Sequence, residues 1–183
     1  LEDLAGVPIG VGLFAGSHFG TLRLLENYLP ADQIVVEGLG GQRRRLHALL
    51  DREIGVAALQ DPAASIAEHS GLRRLALTEY RRLFWVHKDL DPHALASYFR
   101  VLRRAETLRA EAAGGYRELW ERALPVDLAG RHDLSRFGPG ERLVFEPITR
   151  AEVAETLAWL DRWSLDPPPG ERSFEKLTVR VPV

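Results

Sequence analysis

The sequence predicts an α/β fold built on a small parallel sheet, and three observations indicate it. Short apolar runs without helical periodicity occur at residues 7–14, 33–37 and 54–59. Segments with apolar residues at spacings of three and four separate these runs, and glycine-rich turns follow them. Strand, helix, strand, helix, strand within 60 residues predicts two βαβ units with right-handed crossovers. We therefore predict a doubly wound lobe with the first strand in the middle of its sheet.

The first two elements are a buried strand and an amphipathic helix. The run VPIGVGLF at residues 7–14 ends in Ala15-Gly16-Ser17, which is typical of a strand that enters a tight turn. Ser17 is a suitable N-cap for the helix that follows, and Pro30 stops that helix. Its apolar stripe consists of Phe19, Leu22, Leu25 and Leu29. The pattern predicts a helix that packs one face against the sheet.

The rest of the first lobe repeats this order. The strand at 33–37 is followed by three glycines within 38–41, and a helix is predicted over 42–53 with Arg43, Arg44 and Arg45 mostly off its leucine stripe. Arginines in that position indicate a solvated face. After the strand at 54–59, Asp61-Pro62 predicts the start of a third helix over 63–69, which Gly71 ends.

A second part is predicted to begin near residue 81, giving a ligand-binding lobe at 1–80 and a crossover strand with C-terminal helices at 81–183. Two strands are expected at 72–78 and 83–87, separated by the polar step 79–82. A long helix is expected over 91–112, a shorter one through Leu119 and Trp120, and a lone strand at 143–145. Thr149 and Glu152 form a capping-box pattern ahead of a further helix, and 173–177 predicts one last turn.

Composition excludes several classes of function. The chain has 183 residues, no cysteine and a formal net charge of -2, so a thiol nucleophile, a Cys-based zinc site and a global basic field for nucleic acid are excluded. The six histidines show no metal-ligand spacing. No apolar run is long enough for a transmembrane segment, and the first residues do not have the charged, apolar and small-residue pattern expected of a signal peptide. We expect no cofactor, no metal and no catalytic group, and the absence of methionine suggests a processed or truncated chain.

The predicted ligand crevice lies beyond the carboxyl ends of the strands, where open α/β sheets bind ligands. We expect one wall to contain six residues: Gly16, Ser17, His18, Phe19, Gln60 and Asp61. The start of the first helix favours a carboxylate, sulfonate or phosphate there. Two simpler interpretations remain open, in which Ser17 and Asp61 only cap their own helices. The step at 78–82 is expected to belong to a hinge.

The opening stretch LEDLAGVPIGV resembles the D-L-x-G-x-x-I-G-V segment of type 2 periplasmic substrate-binding proteins of the nitrate, sulfonate and thiamine-precursor kind. The Gly16-Ser17 turn, the stretch LHALLDREIGVAA at 46–58 and Asp61-Pro62 are also similar to that family. The resemblance covers residues 1 to about 165. It implies a solute-binding protein that captures a small anionic or heteroaromatic organic molecule and delivers it to the permease of an ABC importer. It also implies a periplasmic or cell-surface-anchored location and a preceding first-lobe segment.

Two other classes share this fold by resemblance. One is an enzyme similar to the sulfinate desulfinases or aromatic decarboxylases, which needs a reactive group. The other is the ligand-sensing domain of a transcriptional regulator, which needs an upstream helix-turn-helix. A binding protein needs only a crevice and a hinge, and the residues quoted above supply candidates for both.

Overall fold

The computed structural model describes residues 1–84, 86–87, 89–111, 119, 122, 142–165 and 172–178. The chain divides into two compact units. One includes residues 1–83, and the other includes the described residues of 84–111 together with 142–165 and 172–178. The first unit holds the sheet and the candidate site.

The sheet has three parallel strands, β1 (Ile9–Val11), β2 (Val36–Gly38) and β3 (Val56–Ala57), in the order β2-β1-β3. Ile9 is paired with Val36 on one side and with Val56 on the other. The predicted parallel pairing and the central position of the first strand are therefore confirmed. A central strand that is paired on both sides brings the residues after β1 next to those after β2 and β3.

The strands are shorter than their apolar runs predict. For β1, the backbone after the strand explains the difference. The N–H of Gly12 donates to the hydroxyl of Ser17 at 3.0 Å, so it is not available to a neighbouring strand. Phe14 has a φ of 55°, which is outside the extended region. The chain thus turns out of the sheet at Gly12, and Leu13 and Phe14 are exposed at the edge of the turn.

Three α-helices lie within residues 1–83 of this unit: α1 (Gly16–Leu25), α2 (Gln42–Leu50) and α3 (Ala63–His69). The bounds of α3 match the prediction, whereas α1 and α2 end several residues before their predicted ends. The prediction that Ser17 is the N-cap of α1 is wrong. The N-cap is Ala15, and Ser17 lies one residue inside the helix. From there its hydroxyl reaches back to Gly12 instead of capping its own helix.

Two apolar clusters stabilise the unit. Ile9 and Val11 lie two residues apart, so their side chains share one face of β1, where they pack against Leu25 of α1. A second cluster joins α2 to α3 around Leu46 and Ile66, which are both fully buried. The apolar periodicity of each strand and helix predicts which of its residues face these clusters.

The strands predicted at 72–78 and 83–87 are wrong for the part that the structure describes. Residues 72–84 and 86–87 are irregular and mostly exposed, and no described strand pairs with them. Their β-type composition has no effect without a neighbour to complete the hydrogen-bond ladder. The lone strand predicted at 143–145 is likewise irregular. Trp85, most of the shorter helix through Leu119 and Trp120, and the proline run at 167–169 lie outside the described residues.

The second unit contains α4 (Pro92–Glu111), α5 (Arg150–Arg162) and α6 (Phe174–Leu177). The predicted helices at 91–112 and after Thr149, and the last turn at 173–177, are therefore confirmed. Phe99 of α4 makes edge-on ring contacts with Phe84 and Phe145. Trp159 of α5 is buried.

The capping box at the start of α5 forms as the sequence predicts, because the N–H of Glu152 donates to the Thr149 hydroxyl and the N–H of Thr149 donates to the Glu152 carboxylate. Replacing Thr149 by alanine should lower the free energy of unfolding by about 1 kcal/mol, the usual cost of losing such a cap. Chemical denaturation measures this change. Thr149→Ser keeps the hydroxyl and serves as the control, and an equal loss in both variants would contradict a capping role.

Candidate ligand-binding site

A cleft of about 420 Å³ opens where β1 and β3 end and where α1 and α2 begin. Its wall contains one polar group from each of several loops, and these groups come together at the carboxyl edge of the parallel sheet. The lining residues are Gly12, Leu13, Ala15, Gly16, Ser17, Gly40, Gly41, Gln42, Arg45, Gln60, Tyr80 and Arg82. This set contains two arginines and no acidic residue, so the cleft is positive in a chain whose formal net charge is -2.

Arg45 is the central charged group of the cleft. It belongs to the first turn of α2, and only 4% of its surface is exposed. Its Nη1 donates to the carbonyl of Gly40 at 2.8 Å and to the hydroxyl of Ser17 at 3.1 Å. A side chain at Gly12 would place its Cβ 2.9 Å from Nη1, so Gly12 leaves the space that the guanidinium occupies. The first two loops of the sheet thus hold one cation in place.

No carboxylate neutralises Arg45 among the described residues. Its hydrogen bonds there go to two neutral oxygens, and its buried Nε has no hydrogen-bond partner. Loss of hydration by burial lowers the pKa of Arg45, and the nearby Tyr80 opposes this in part. Arginine nevertheless stays charged at any pH at which proteins fold. A buried cation without a counter-ion is costly, and the charge of a bound anion would offset that cost.

Two helices begin in the cleft without a side-chain cap. The N-cap of α1 is Ala15 and that of α2 is Gly41, and neither helix has an acidic residue in its first turn. Helix starts usually carry Ser, Thr, Asp or Asn at this place, or an acidic residue just after it. The positive ends of α1 and α2 therefore face the same cleft as Arg45, which makes the cleft suited to an anion.

Ser17 adds a further donor to the cleft. Its Oγ accepts hydrogen bonds from the N–H of Gly12 and from Arg45. With both acceptor positions used in this way, the hydroxyl proton points elsewhere, and it has no acceptor among the described residues. A ligand oxygen in the cleft would supply one.

The opposite wall is an amide network around Gln60. The backbone N–H of Gln60 donates to the side-chain oxygen of Gln42 at 2.7 Å, and the Gln42 amide donates to the side-chain oxygen of Gln60 at 2.6 Å. The Gln60 amide in turn donates to the hydroxyl of Tyr80, and Arg82 donates to the Gln60 oxygen at 3.2 Å. The segment around Tyr80 is thereby tied to the end of β3 and to the start of α2.

The ring of Tyr80 lies directly on Gly16, so any side chain at Gly16 would overlap it. The Tyr80 ring therefore covers the start of α1. Tyr80 is 39% exposed, which places it at the mouth of the cleft. The expectation that residues 78–82 act as a hinge stays a prediction.

Three of the six residues predicted for the crevice line the cleft: Gly16, Ser17 and Gln60. The other three, His18, Phe19 and Asp61, lie outside the lining. Asp61 is exposed, and its carboxylate accepts from the N–H and the hydroxyl of Ser65 in α3. The N-cap of α3 is Pro62, so Asp61 supports the start of its own helix from the residue before the N-cap.

His18 points away from the cleft into an aromatic environment. It is 5% exposed, and its ring contacts Phe14 edge-on and stacks against Phe19. Its Nδ1 accepts the N–H of Phe14 at 3.2 Å, which requires the unprotonated nitrogen. The role of His18 is therefore to hold the turn after β1, and burial lowers its pKa below the ordinary value of 6.5.

The pKa of His18 gives the stability of the protein a defined dependence on pH. Because the folded pKa is lower than the unfolded one, the contribution of neutral His18 is complete above pH about 6.5 and is lost as the pH falls below it. We expect His18→Asn, which keeps an acceptor but does not titrate, to reduce the loss of stability between pH 7 and pH 5. Urea denaturation at several pH values measures it, with the exposed His69→Asn as control. An unchanged pH profile in His18→Asn would contradict this role.

Sequence reasoning missed Arg45, Tyr80 and Gly12. Arg45 was assigned to a solvated face, and this prediction is wrong because the guanidinium is enclosed by Gly12 and Gly40. One signal was available, since Arg45 lies four residues before Leu49 and so borders the apolar stripe of α2. Tyr80 lies in an irregular segment, where no periodicity marks a contact with Gly16.

Within the described residues, no group of three or more His, Cys, Asp or Glu side chains is placed to hold a metal ion. No helix in the described residues is both long enough and apolar enough to cross a membrane. Comparison of the chain with protein-family models, with curated proteins and with solved structures found no match.

Proposed function

We propose that residues 1–80 are the binding lobe of a solute-binding protein that captures a small organic molecule for an ABC importer. In this proposal the parallel sheet is the doubly wound lobe of a type 2 binding protein, with a periplasmic or cell-surface location. The observation that carries the proposal is the cleft at the carboxyl edge of the sheet, with the buried Arg45 facing it. A preformed cleft with a few convergent polar groups is typical of small-molecule binding.

The chemistry of the cleft supports binding over catalysis. Ser17 and Tyr80 carry the hydroxyl groups of the described lining. The Oγ of Ser17 accepts hydrogen bonds from Arg45 and from the N–H of Gly12. A nucleophilic serine needs a base that takes its proton, and the described lining contains no histidine, carboxylate or lysine. A set of donors without such a base favours holding a ligand.

A ligand screen by thermal shift and native mass spectrometry tests the binding function. A compound at 100 times its dissociation constant should stabilise the protein by about 2.7 kcal/mol and should appear as a mass adduct. Ser17→Trp fills the cleft and should remove both signals, whereas Ser70→Trp, on an exposed position outside the lining, should keep them. If a broad library of small metabolites yields neither shift nor adduct, the proposed function is wrong.

A further inference from the structure

We propose that the ligand of this cleft is an organic oxyanion, a carboxylate or a sulfonate, and that Arg45 is the residue that selects it over uncharged molecules of the same shape. The inference rests on the proposed binding function and adds the class of ligand and its selecting residue. It is carried by the buried guanidinium, by the two uncapped helix starts and by the donor character of the lining.

The first step is the unmatched charge of Arg45. At 4% exposure the guanidinium has lost most of its hydration, and its neutral partners, Gly40 and Ser17, do not compensate its charge. The buried Nε still has a proton without an acceptor among the described residues. An anion in the cleft supplies the missing charge, whereas a neutral amide supplies none.

The second step is that the wall next to Arg45 presents hydrogen-bond donors. The hydroxyl of Ser17 has a proton to donate, and the helix starts at Gly16 and Gln42 present backbone N–H groups. These donors belong to two separate segments, the starts of α1 and α2, and together they favour one ligand group with several acceptor positions. A carboxylate or a sulfonate has two or three equivalent oxygens for them, which an amide or an alcohol does not have.

The third step is the difference in burial between Arg45 and Arg82, the two arginines of the described lining. Arg82 is exposed and donates to Gln60, so water screens its charge, whereas Arg45 is buried. Exposed charges contribute little to affinity, and desolvated ones contribute more. We therefore expect the selectivity for anions to depend on Arg45 and only weakly on Arg82.

Three probes with the same ring distinguish charge from shape: benzoate, benzenesulfonate and benzamide. Titration of the ¹⁵N-labelled protein follows the backbone amides of Gly16, Ser17 and Gln42, together with the side-chain Nε–H of Arg45. We expect saturable chemical-shift changes with the two anions. The dissociation constant of benzamide should be roughly 10- to 100-fold larger, which corresponds to the loss of a charged hydrogen bond.

The variants then locate the selectivity. Arg45→Met should weaken both anions by roughly 10- to 100-fold and weaken benzamide much less, and Arg45→Lys should retain part of the preference because it keeps a charge. The exposed Arg43→Met, on the same helix as Arg45 and outside the lining, is the control and should change anion affinity less than about threefold, whereas Arg82→Met should weaken the anions less than Arg45→Met does. Folding of each variant is checked by its amide spectrum.

The outcomes separate this inference from the proposed function. If benzamide binds as tightly as benzoate, or if Arg45→Met keeps the anion preference, the inference is wrong, and a neutral compound found in the library screen would leave the binding function intact. The inference is also wrong if neither anion shifts the amides of the cleft. The binding function fails only if the library itself yields no ligand.

Discussion

Arg45→Met is expected to raise the free energy of unfolding of the empty protein. The substitution removes a buried charge that has no carboxylate partner among the described residues and replaces it with an apolar chain of similar length. Replacing buried ionic groups by apolar ones has raised stability by about 1–4 kcal/mol in other proteins. The proposed anion selectivity predicts that the same variant loses affinity for anions, so the two expected effects have opposite signs.

The hydrogen bonds that Arg45 loses in this variant do not cancel the gain. Gly40 is exposed and Ser17 is half-buried, so water can reach both oxygens once the guanidinium is gone. Chemical denaturation of the wild type and of Arg45→Met, without ligand, measures the difference. Arg43→Met provides the control for the loss of one exposed charge on the same helix. A large fall in stability for Arg45→Met alone would mean that Arg45 is structural and that the cleft does not need an anion.

A stabilising substitution at a binding residue is expected on general grounds. An empty binding site contains charges and hydrogen-bonding groups that lack partners, and the bound ligand provides these partners. In this cleft those groups are the Arg45 guanidinium, the Ser17 hydroxyl and the uncapped starts of α1 and α2. Binding an oxyanion would satisfy all of them together, which ties ligand affinity to the instability of the empty site.

The sequence predicts those parts of the fold that depend on neighbours along the chain. Strand order, parallel pairing and the α3 bounds follow from apolar periodicity and from glycine and proline at the turns. The same reasoning places the cleft at the ends of the strands, and it includes Gly16, Ser17 and Gln60 in the wall. These residues follow strands directly, so their position depends on topology alone.

The missed features depend on contacts between distant segments. Arg45 is buried only because Gly12 leaves room for it, and these two residues are separated by more than 30 positions. A shift of two residues in the start of α1 moves Ser17 from a cap to the cleft wall, and helix bounds are not predictable at that precision. The predicted strands at 72–78 and 83–87 fail because pairing needs a partner strand, which composition does not supply.

Gly12→Ala should weaken anion binding as Arg45→Met does, but it should lower stability. The new Cβ would lie 2.9 Å from Nη1 of Arg45 and 3.1 Å from the backbone oxygen of Gly40. The guanidinium must then shift, which weakens its hydrogen bonds to Ser17 and Gly40 while its charge stays buried. Such overpacking costs about 1–3 kcal/mol, and the displaced donor should weaken benzoate by roughly tenfold or more.

The double variant Gly12→Ala/Arg45→Met shows whether the two residues act through one contact. With methionine at residue 45 the Nη1 atom is absent, so alanine at residue 12 should cost less than it does in the wild type. The coupling energy between the two substitutions should reach about 0.5–3 kcal/mol, the range for residues in contact. Four denaturation curves measure it. Strictly additive effects would mean that Gly12 does not position Arg45, and the arrangement of the cation in the cleft would then need another explanation.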